Sequence, residues 1–284
     1  PAGGASCRAN IRAVLTAENR SRWALVLGAS SGFGEACSLA LARAGWNVFG
    51  VHLDRKGTQP NVDRIVAEIS STGRRAEFFN VNAADDAKRA EVVAAIARSC
   101  GSDAAECRVS VLLHSIAFGT LKPFFTASRE DSISKAQLEM TIDVMGNSLV
   151  YWTQDLFFGG LFAPGARIFA MTSAGDHIVW PAYGAVSAAK AVLESHVRQL
   201  AVELAPHRIS VNALRAGVTD TPALRKIPGN EKMIERVLAM HPAGRLTTPA
   251  DVAGTLVALA SDGAAWVSGN VIGVDGAEDI AGGR

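Results

Sequence analysis

Residues 23–36 constrain the fold more than any other stretch of the chain. Trp23-Ala-Leu-Val-Leu27 is a short apolar run, the pattern of a strand buried on both faces of a parallel sheet. Gly28-Ala-Ser30-Ser31-Gly32-Phe33-Gly34 follows at once and opens an amphipathic helix expected over residues 36–44. Glycines let a backbone come close to a ligand, and a helix N-terminus presents free N–H groups and the positive end of its dipole. A strand feeding such a turn feeding a helix is therefore a cradle for a phosphate or pyrophosphate. The spacing G-x-x-x-G-x-G differs from the usual dinucleotide fingerprint, so the weight rests on the strand–turn–helix context.

The pattern then repeats. Apolar runs near residues 46–51, 76–81, 110–114, 166–173, 209–214 and 270–275 alternate with helical stretches at 62–71, 85–99, 132–158 (broken near Gly146), 183–205, 230–240 and 251–260. Such alternation predicts one doubly wound, largely parallel α/β sheet, a Rossmann-like single domain. Residues 1–22 read as an N-terminal extension, with a short helix near 11–15, and residues 23–284 as the domain, carrying a small lid near 222–242.

In this fold, ligands bind beyond the carboxyl ends of the strands. Gly28–Gly34, His114–Ala117, Ser173 and Ala216–Thr221 all follow strands and so line one crevice. The exit of the second strand, His52-Leu53-Asp54-Arg55-Lys56, meets the adenosine ribose. An acid there favours a free 2′-hydroxyl, and Arg or Lys accommodates a 2′-phosphate. His52 stands where the acid is expected and Asp54 slightly beyond it. Arg55 and Lys56 tip the reading to NADPH, with NADH as the alternative; a solvated charged loop is the bland account.

Pro181-Ala-Tyr183-Gly-Ala-Val-Ser-Ala-Ala-Lys190 is an entry loop and helix start. Two helical turns take about 7.2 residues, so Tyr183 and Lys190 share a face. A phenol with a cation to tune it makes an acid. The alternative is a core tyrosine and a solvated lysine, but a charge among Ala, Val and Leu is costly without a partner.

The chain has 284 residues, 49% hydrophobic and 19% charged, with a net charge of +1. That balance gives no electrostatic footprint for nucleic acid or an anionic membrane. No apolar run spans a bilayer and no signal core is legible, so a cytoplasmic protein is expected. Cys7, Cys37, Cys100 and Cys107 lack metal-ligand spacing and read as reduced thiols, with a Cys100–Cys107 disulfide the weaker reading. His177, His196, His207 and His241 are scattered, which predicts no metal site.

Over nearly all of residues 22–277 the sequence resembles the short-chain dehydrogenase/reductases. The features that carry the likeness are Gly28-x-x-x-Gly32-x-Gly34, the Tyr/Lys helix, Val211-Asn212-Ala213 with Ala216-Gly217 and Thr221, and the closing Gly269 to Gly276. Within the family it is most similar to the enoyl-[acyl-carrier-protein] reductases. His114-Ser115-Ile116-Ala117 replaces the ordinary Asn-Asn-Ala-Gly, and six residues rather than three separate Tyr183 from Lys190; the ordinary tyrosine place is Val186. In conjugate reduction of a 2-enoyl thioester, hydride reaches the β-carbon and charge develops on the thioester oxygen two carbons away. The displaced tyrosine suits that distance.

The resemblance implies that Lys190 holds the nicotinamide ribose and Tyr183 the thioester oxygen. It implies that Gly28, Ser30, Ser31, Phe33 and Gly34 cradle ribose and phosphates, and that Asn80 and Val81 meet adenine. Ser115, Ile116 and Ala117 would line the nicotinamide ribose, and Gly217, Val218, Thr219 and Thr221 the carboxamide and pyrophosphate side. It further implies an acyl-carrier-protein or coenzyme A thioester substrate and a homotetramer, the latter suited by apolar faces on the helices at 146–162 and 185–205. Ser173 stands where some enoyl reductases carry a second tyrosine and where carbonyl reductases carry a catalytic serine. Reduction of a 3-oxoacyl thioester, a steroid or another ketone is therefore the alternative, against which Met145 in the relay-asparagine place counts. Trp180 and Phe118 either face an acyl pocket or pack in the core.

Overall fold

The computed structural model describes residues 22–100 and 108–281. The N-terminal extension, its short helix, Cys7 and Cys107 lie outside the described residues. Strands β1 (Arg22–Leu27), β2 (Asn47–His52), β3 (Ala76–Asn80), β4 (Arg108–His114), β5 (Phe162–Ser173), β6 (Ser210–Ala216) and β7 (Val271–Val274) form one parallel sheet in the order β3-β2-β1-β4-β5-β6-β7. The order reverses between β1 and β4, so crossovers on the two sides cover opposite faces and part above the sheet at that point.

The apolar run of β1 is continuous because both faces are covered. Trp23, Leu25 and Leu27 enter one core, with residues of helices α3 (Asp86–Ser99), α5 (Ser148–Phe158) and α6 (Gly184–Leu204). Ala24 and Val26 enter the other, with residues of α1 (Gly32–Arg43), α2 (Gln59–Ser71) and α8 (Pro249–Leu259). Trp23 stacks on Phe49 at 4.0 Å between ring centroids. Two further helices, α4 (Lys135–Ile142) and α7 (Asn230–Met240), flank the carboxyl end of the sheet.

The long helical region expected over 132–158 is α4 and α5 joined by a π-helical turn, Asp143–Asn147. Gly146 marks the joint, where α6 packs close against the turn. A Cβ there would lie 3.1 Å from Ala189 O and 3.0 Å from Val192 Cγ1. The turn also places Met145 in a small buried cluster with Val186 and Ala189. Most apolar residues of α5 and α6 are already buried within one chain; Phe158 and Val202 are the large ones left exposed on these two helices.

Of the two described cysteines, Cys37 meets the expectation of a reduced thiol and Cys100 departs from it. Cys37 is free and buried, and burial pushes its thiol up to about 12. Cys100, at the C-cap of α3, is disulfide-bonded to a partner outside the described residues. Among the described residues no helix is long and apolar enough to cross a membrane, and no group of three metal-ligating side chains converges.

Candidate active site

A cleft of 2310 Å³ opens along the carboxyl ends of the strands. At its floor the β1–α1 turn is closed by backbone contact. Gly28 has φ +87°, and a Cβ there would sit 2.4 Å from Ser115 O; one on Gly34 would sit 2.0 Å from Gly28 O. Ser31, the N-cap of α1, makes no side-chain hydrogen bond to the helix. The first-turn N–H groups therefore face the cleft without a side-chain cap, as an anion site requires. Gly28, Ser30, Ser31, Phe33, Val81, Ser115, Ile116, Ala117, Gly217, Val218, Thr219 and Thr221 all line this space, as the sequence placed them.

Three of the expected residues do not line this space. Gly34 is buried beneath the turn rather than facing the cleft. Lys56 points away into solvent, whereas Arg55 stays on the rim. The Asn80 side chain braces the neighbouring loop, its Oδ1 accepting from Asp54 N at 2.9 Å and its Nδ2 donating to Asp54 O at 3.0 Å. That brace brings the Asp54 side chain to the cleft wall. Its Oδ2 meets His52 Nδ1 at 2.9 Å, with the imidazole buried. Burial works to raise the Asp54 carboxyl, but hydrogen bonds from Ser30, Thr58 and His52 outweigh it and hold the group below the usual carboxylate range.

At the other end Tyr183 stands as the N-cap of α6, entered through Ala182 in the left-handed region at φ 62°. Its hydroxyl lies 3.3 Å from Ser173 Oγ at the end of β5. Burial pushes the phenol up, and the Ser173 hydrogen bond works against it. Lys190 is buried, and its Nζ donates to Met171 O at 2.6 Å. Burial brings the ammonium down to about 8, with the Glu194 charge opposing the fall. Both side chains open on the cleft. Val186, one turn before Lys190, is buried with Met145 and offers no acid.

His114 is also fully buried, at the end of β4. Its Nε2 lies 2.8 Å from Ser148 Oγ, whose own proton goes to Val144 O at 2.7 Å, so Nε2 is the donor. Burial and then the Lys190 charge bring the imidazole down to about 3, so it is neutral at ordinary pH. It is a structural strut of the β4 exit.

Sequence reading missed a set of charged groups behind this pair: Glu194, Asp176, Asp279 and Arg215. Only Glu194 had a signal, four residues after Lys190 and hence on its face of the helix. His196, His207 and His241 have ordinary structural roles: a contact with Asn147, a ring contact with Phe157, and a contact with Asp275 O. Trp180 and Phe118 both line the cleft, and Trp180 Nε1 donates to Pro228 O at 3.1 Å.

A one-sheet dinucleotide fold with a phenol and ammonium at the cleft defines a class, the nicotinamide-dependent reductases. The family model described as enoyl-(acyl carrier protein) reductase matches residues 28–277, and the chain belongs to that branch of the short-chain dehydrogenase/reductases. A 1-cyclohexenylcarbonyl-CoA reductase of Streptomyces collinus is 30% identical over 268 residues, covering 92% of this chain and 88% of that protein. A 3-oxoacyl-[acyl-carrier-protein] reductase of Thermotoga maritima is 28% identical, covering 89% and 95%. The crystal structure of the enoyl-[acyl-carrier-protein] reductase (NADH) of Aquifex aeolicus superposes with a TM-score of 0.78 at 25% identity, over 93% of this chain and 98% of that one.

Proposed function

We propose that the protein reduces the carbon–carbon double bond of a 2-enoyl thioester, carried on acyl-carrier protein or coenzyme A, with NADH as the preferred donor. The observation that carries the reaction is the pairing of Tyr183 with Lys190 at two-turn separation, both opening on the cleft, while the position one turn before Lys190 is the apolar Val186. An acid set back by a turn reaches an oxygen remote from the carbon that is reduced.

The cradle at Gly28 and the side-chain-free N-terminus of α1 fit a pyrophosphate. A bound nicotinamide cofactor supplies the hydride. Tyr183 then donates its hydrogen bond, and finally its proton, to the oxygen where negative charge gathers. Lys190 favours that charge by its own, in a site where water is scarce and the interaction strong. At the adenosine end a charged Asp54 accepts from ribose hydroxyls and repels a 2′-phosphate. That favours NADH over the NADPH read from Arg55 and Lys56, of which only Arg55 borders the cleft.

Residues 222–242 act as the lid. Met233, Val237 and Met240 of α7 line the cleft, while no residue of that helix is buried. The helix thus has an apolar face to lay over an acyl chain.

A second reading, ketone reduction, is favoured by the Ser173–Tyr183 hydroxyl pair. Purified protein given crotonyl and acetoacetyl thioesters, each with NADH and NADPH, separates the two. Crotonyl turnover with NADH is the expected result, and Tyr183→Phe should lose it by about a hundredfold or more with cofactor binding kept. Turnover of acetoacetyl thioester alone sinks the enoyl assignment.

A further inference from the structure

The segment after β7 folds back to the cleft. Gly276 and Ala277 both take left-handed backbone, at φ 59° and 70°. Asp275 holds the turn. Its Oδ1 accepts from Ala277 N at 3.0 Å, its Oδ2 from Asp279 N at 3.3 Å, and its carbonyl oxygen from Glu278 N at 3.1 Å. Asp279 ties the segment down on two sides. Its Oδ1 lies 2.9 Å from His177 Nε2 on the β5–α6 connection, and its Oδ2 lies 2.8 Å from Arg215 on β6. Beside these anchors Glu278 turns into the cleft.

There its carboxylate lies across the exit of β6. Val218 N donates to both oxygens, at 3.1 Å to Oε1 and 3.0 Å to Oε2. Gly217 makes room for the group, since a Cβ on that residue would sit 2.6 Å from Oε2. A backbone N–H facing a cleft is a fixed donor for a ligand, and this one is already taken by an acid of the same chain. The contact is also a costly one. Ala277 is a non-glycine residue in a region that its Cβ disfavours, so the closed turn holds strain that opening releases. Burial pushes the Glu278 carboxyl up, and the Asp275 and Asp279 charges add to it. The Val218 N–H and the His241 charge work the other way and do not cancel the rise.

We propose, resting on the reading of the cleft as a nicotinamide-dinucleotide site, that Glu278 is an autoinhibitory latch: its carboxylate holds the Val218 N–H against the carboxamide end of the cofactor, which binds by displacing it. The resemblance puts Gly217, Val218, Thr219 and Thr221 on the carboxamide and pyrophosphate side, so the latch and the cofactor claim the same donor. The carboxylate opposes the cofactor in a second way, by adding negative charge to a cleft that must receive a pyrophosphate. Opening exchanges one hydrogen bond for another at Val218 and lets Ala277 leave its strained conformation.

Equilibrium binding to the purified protein tests this without turnover. NADH and ADP-ribose are the two probes, because ADP-ribose carries the same pyrophosphate and no carboxamide. Glu278→Ala should tighten NADH binding about tenfold and leave ADP-ribose binding unchanged. Glu278→Gln keeps an acceptor but loses the charge, so it should gain less. An equal gain for both probes overturns the latch, since charge alone would then oppose binding. NADH binding that is unchanged or weaker in Glu278→Ala, with ADP-ribose still bound, overturns it as well. Hydrogen exchange gives a second measure on the wild type: NADH, and not ADP-ribose, should speed exchange of the amides of residues 277–281. Exchange that NADH leaves unchanged overturns the displacement. A wild type that binds neither probe removes the dinucleotide reading and the latch with it. The crotonyl-versus-acetoacetyl preference stands or falls separately, because enoyl and keto reduction draw on the same cofactor.

Discussion

Lys190 is the residue whose charge state matters most at the proposed site. An ammonium buried with one carbonyl partner is destabilised relative to the amine, and here the balance falls at about 8. The group is charged below that value and neutral above it, so kcat/KM should fall as pH rises through about 8. Lys190→Arg keeps the charge at all accessible pH and should remove this alkaline limb; an unchanged limb would assign it to another group. Asp54 sets the other end. Asp54→Ser should raise kcat/KM with NADPH relative to NADH by about tenfold, the size of effect expected when one charge repulsion of about 1.4 kcal/mol is lifted. The Tyr183–Lys190 relation was legible because helical periodicity alone puts positions seven apart on one face. The weight of Asp54 was not, because it depends on Asn80, 26 residues later, pinning the loop that carries it.

At the scale of elements, the β1–α1 turn shows how a loop can be fixed by what it cannot contain. Gly28→Ala would drive a Cβ into the Ser115 carbonyl and force φ +87° on an L-residue. A loss of about 1–3 kcal/mol is expected from the backbone alone, with further loss from the clash, and thermal unfolding of the variant measures it. The turn, the alternation of strand and helix and the break near Gly146 were readable, since each leaves a local mark: an apolar run, a glycine, a change of period. The joint between the β5–α6 connection and the C-terminal segment was not. Its parts, Asp176, His177, Arg215 and Asp279, come from three stretches that read as unrelated until the fold assembles them. Burial disfavours the His177 imidazolium, but Asp176 and Asp279 outweigh it and its pKa is raised. The stabilisation is therefore complete below the unfolded value of about 6.5 and is lost as pH rises through the folded value. The Tm difference between wild type and His177→Gln should be largest near pH 6 and shrink toward pH 9; a constant difference would mean that His177 acts by packing alone.

For the whole molecule, the order of the sheet decides where chemistry can occur and leaves one edge open. The reversal between β1 and β4 sets the glycine turn on one side of the cleft and the Tyr183 end of α6 on the other. At the far edge, β7 pairs only with β6 among the described residues, and its outer backbone groups are unpaired by any strand. Trp266, just before β7, is 98% exposed, and Val202 on the adjoining helix α6 is 73% exposed. A Cβ on Gly269, at the entry to β7, would meet Ala201 Cβ at 3.6 Å, so the edge adjoins this helix. A bare edge flanked by a bare tryptophan is a surface that a second copy would cover, which fits the tetramer implied by the resemblance better than the mostly buried faces of α5 and α6 do. Light scattering of the purified protein should give a multiple of 29.7 kDa. Trp266→Glu, which has no core contact to lose, should lower that mass with little change in the far-ultraviolet spectrum. A wild-type mass of one chain would leave the β7 edge as an ordinary solvated edge and remove the tetramer from the account, with the cleft unaffected because every group invoked in it comes from a single chain.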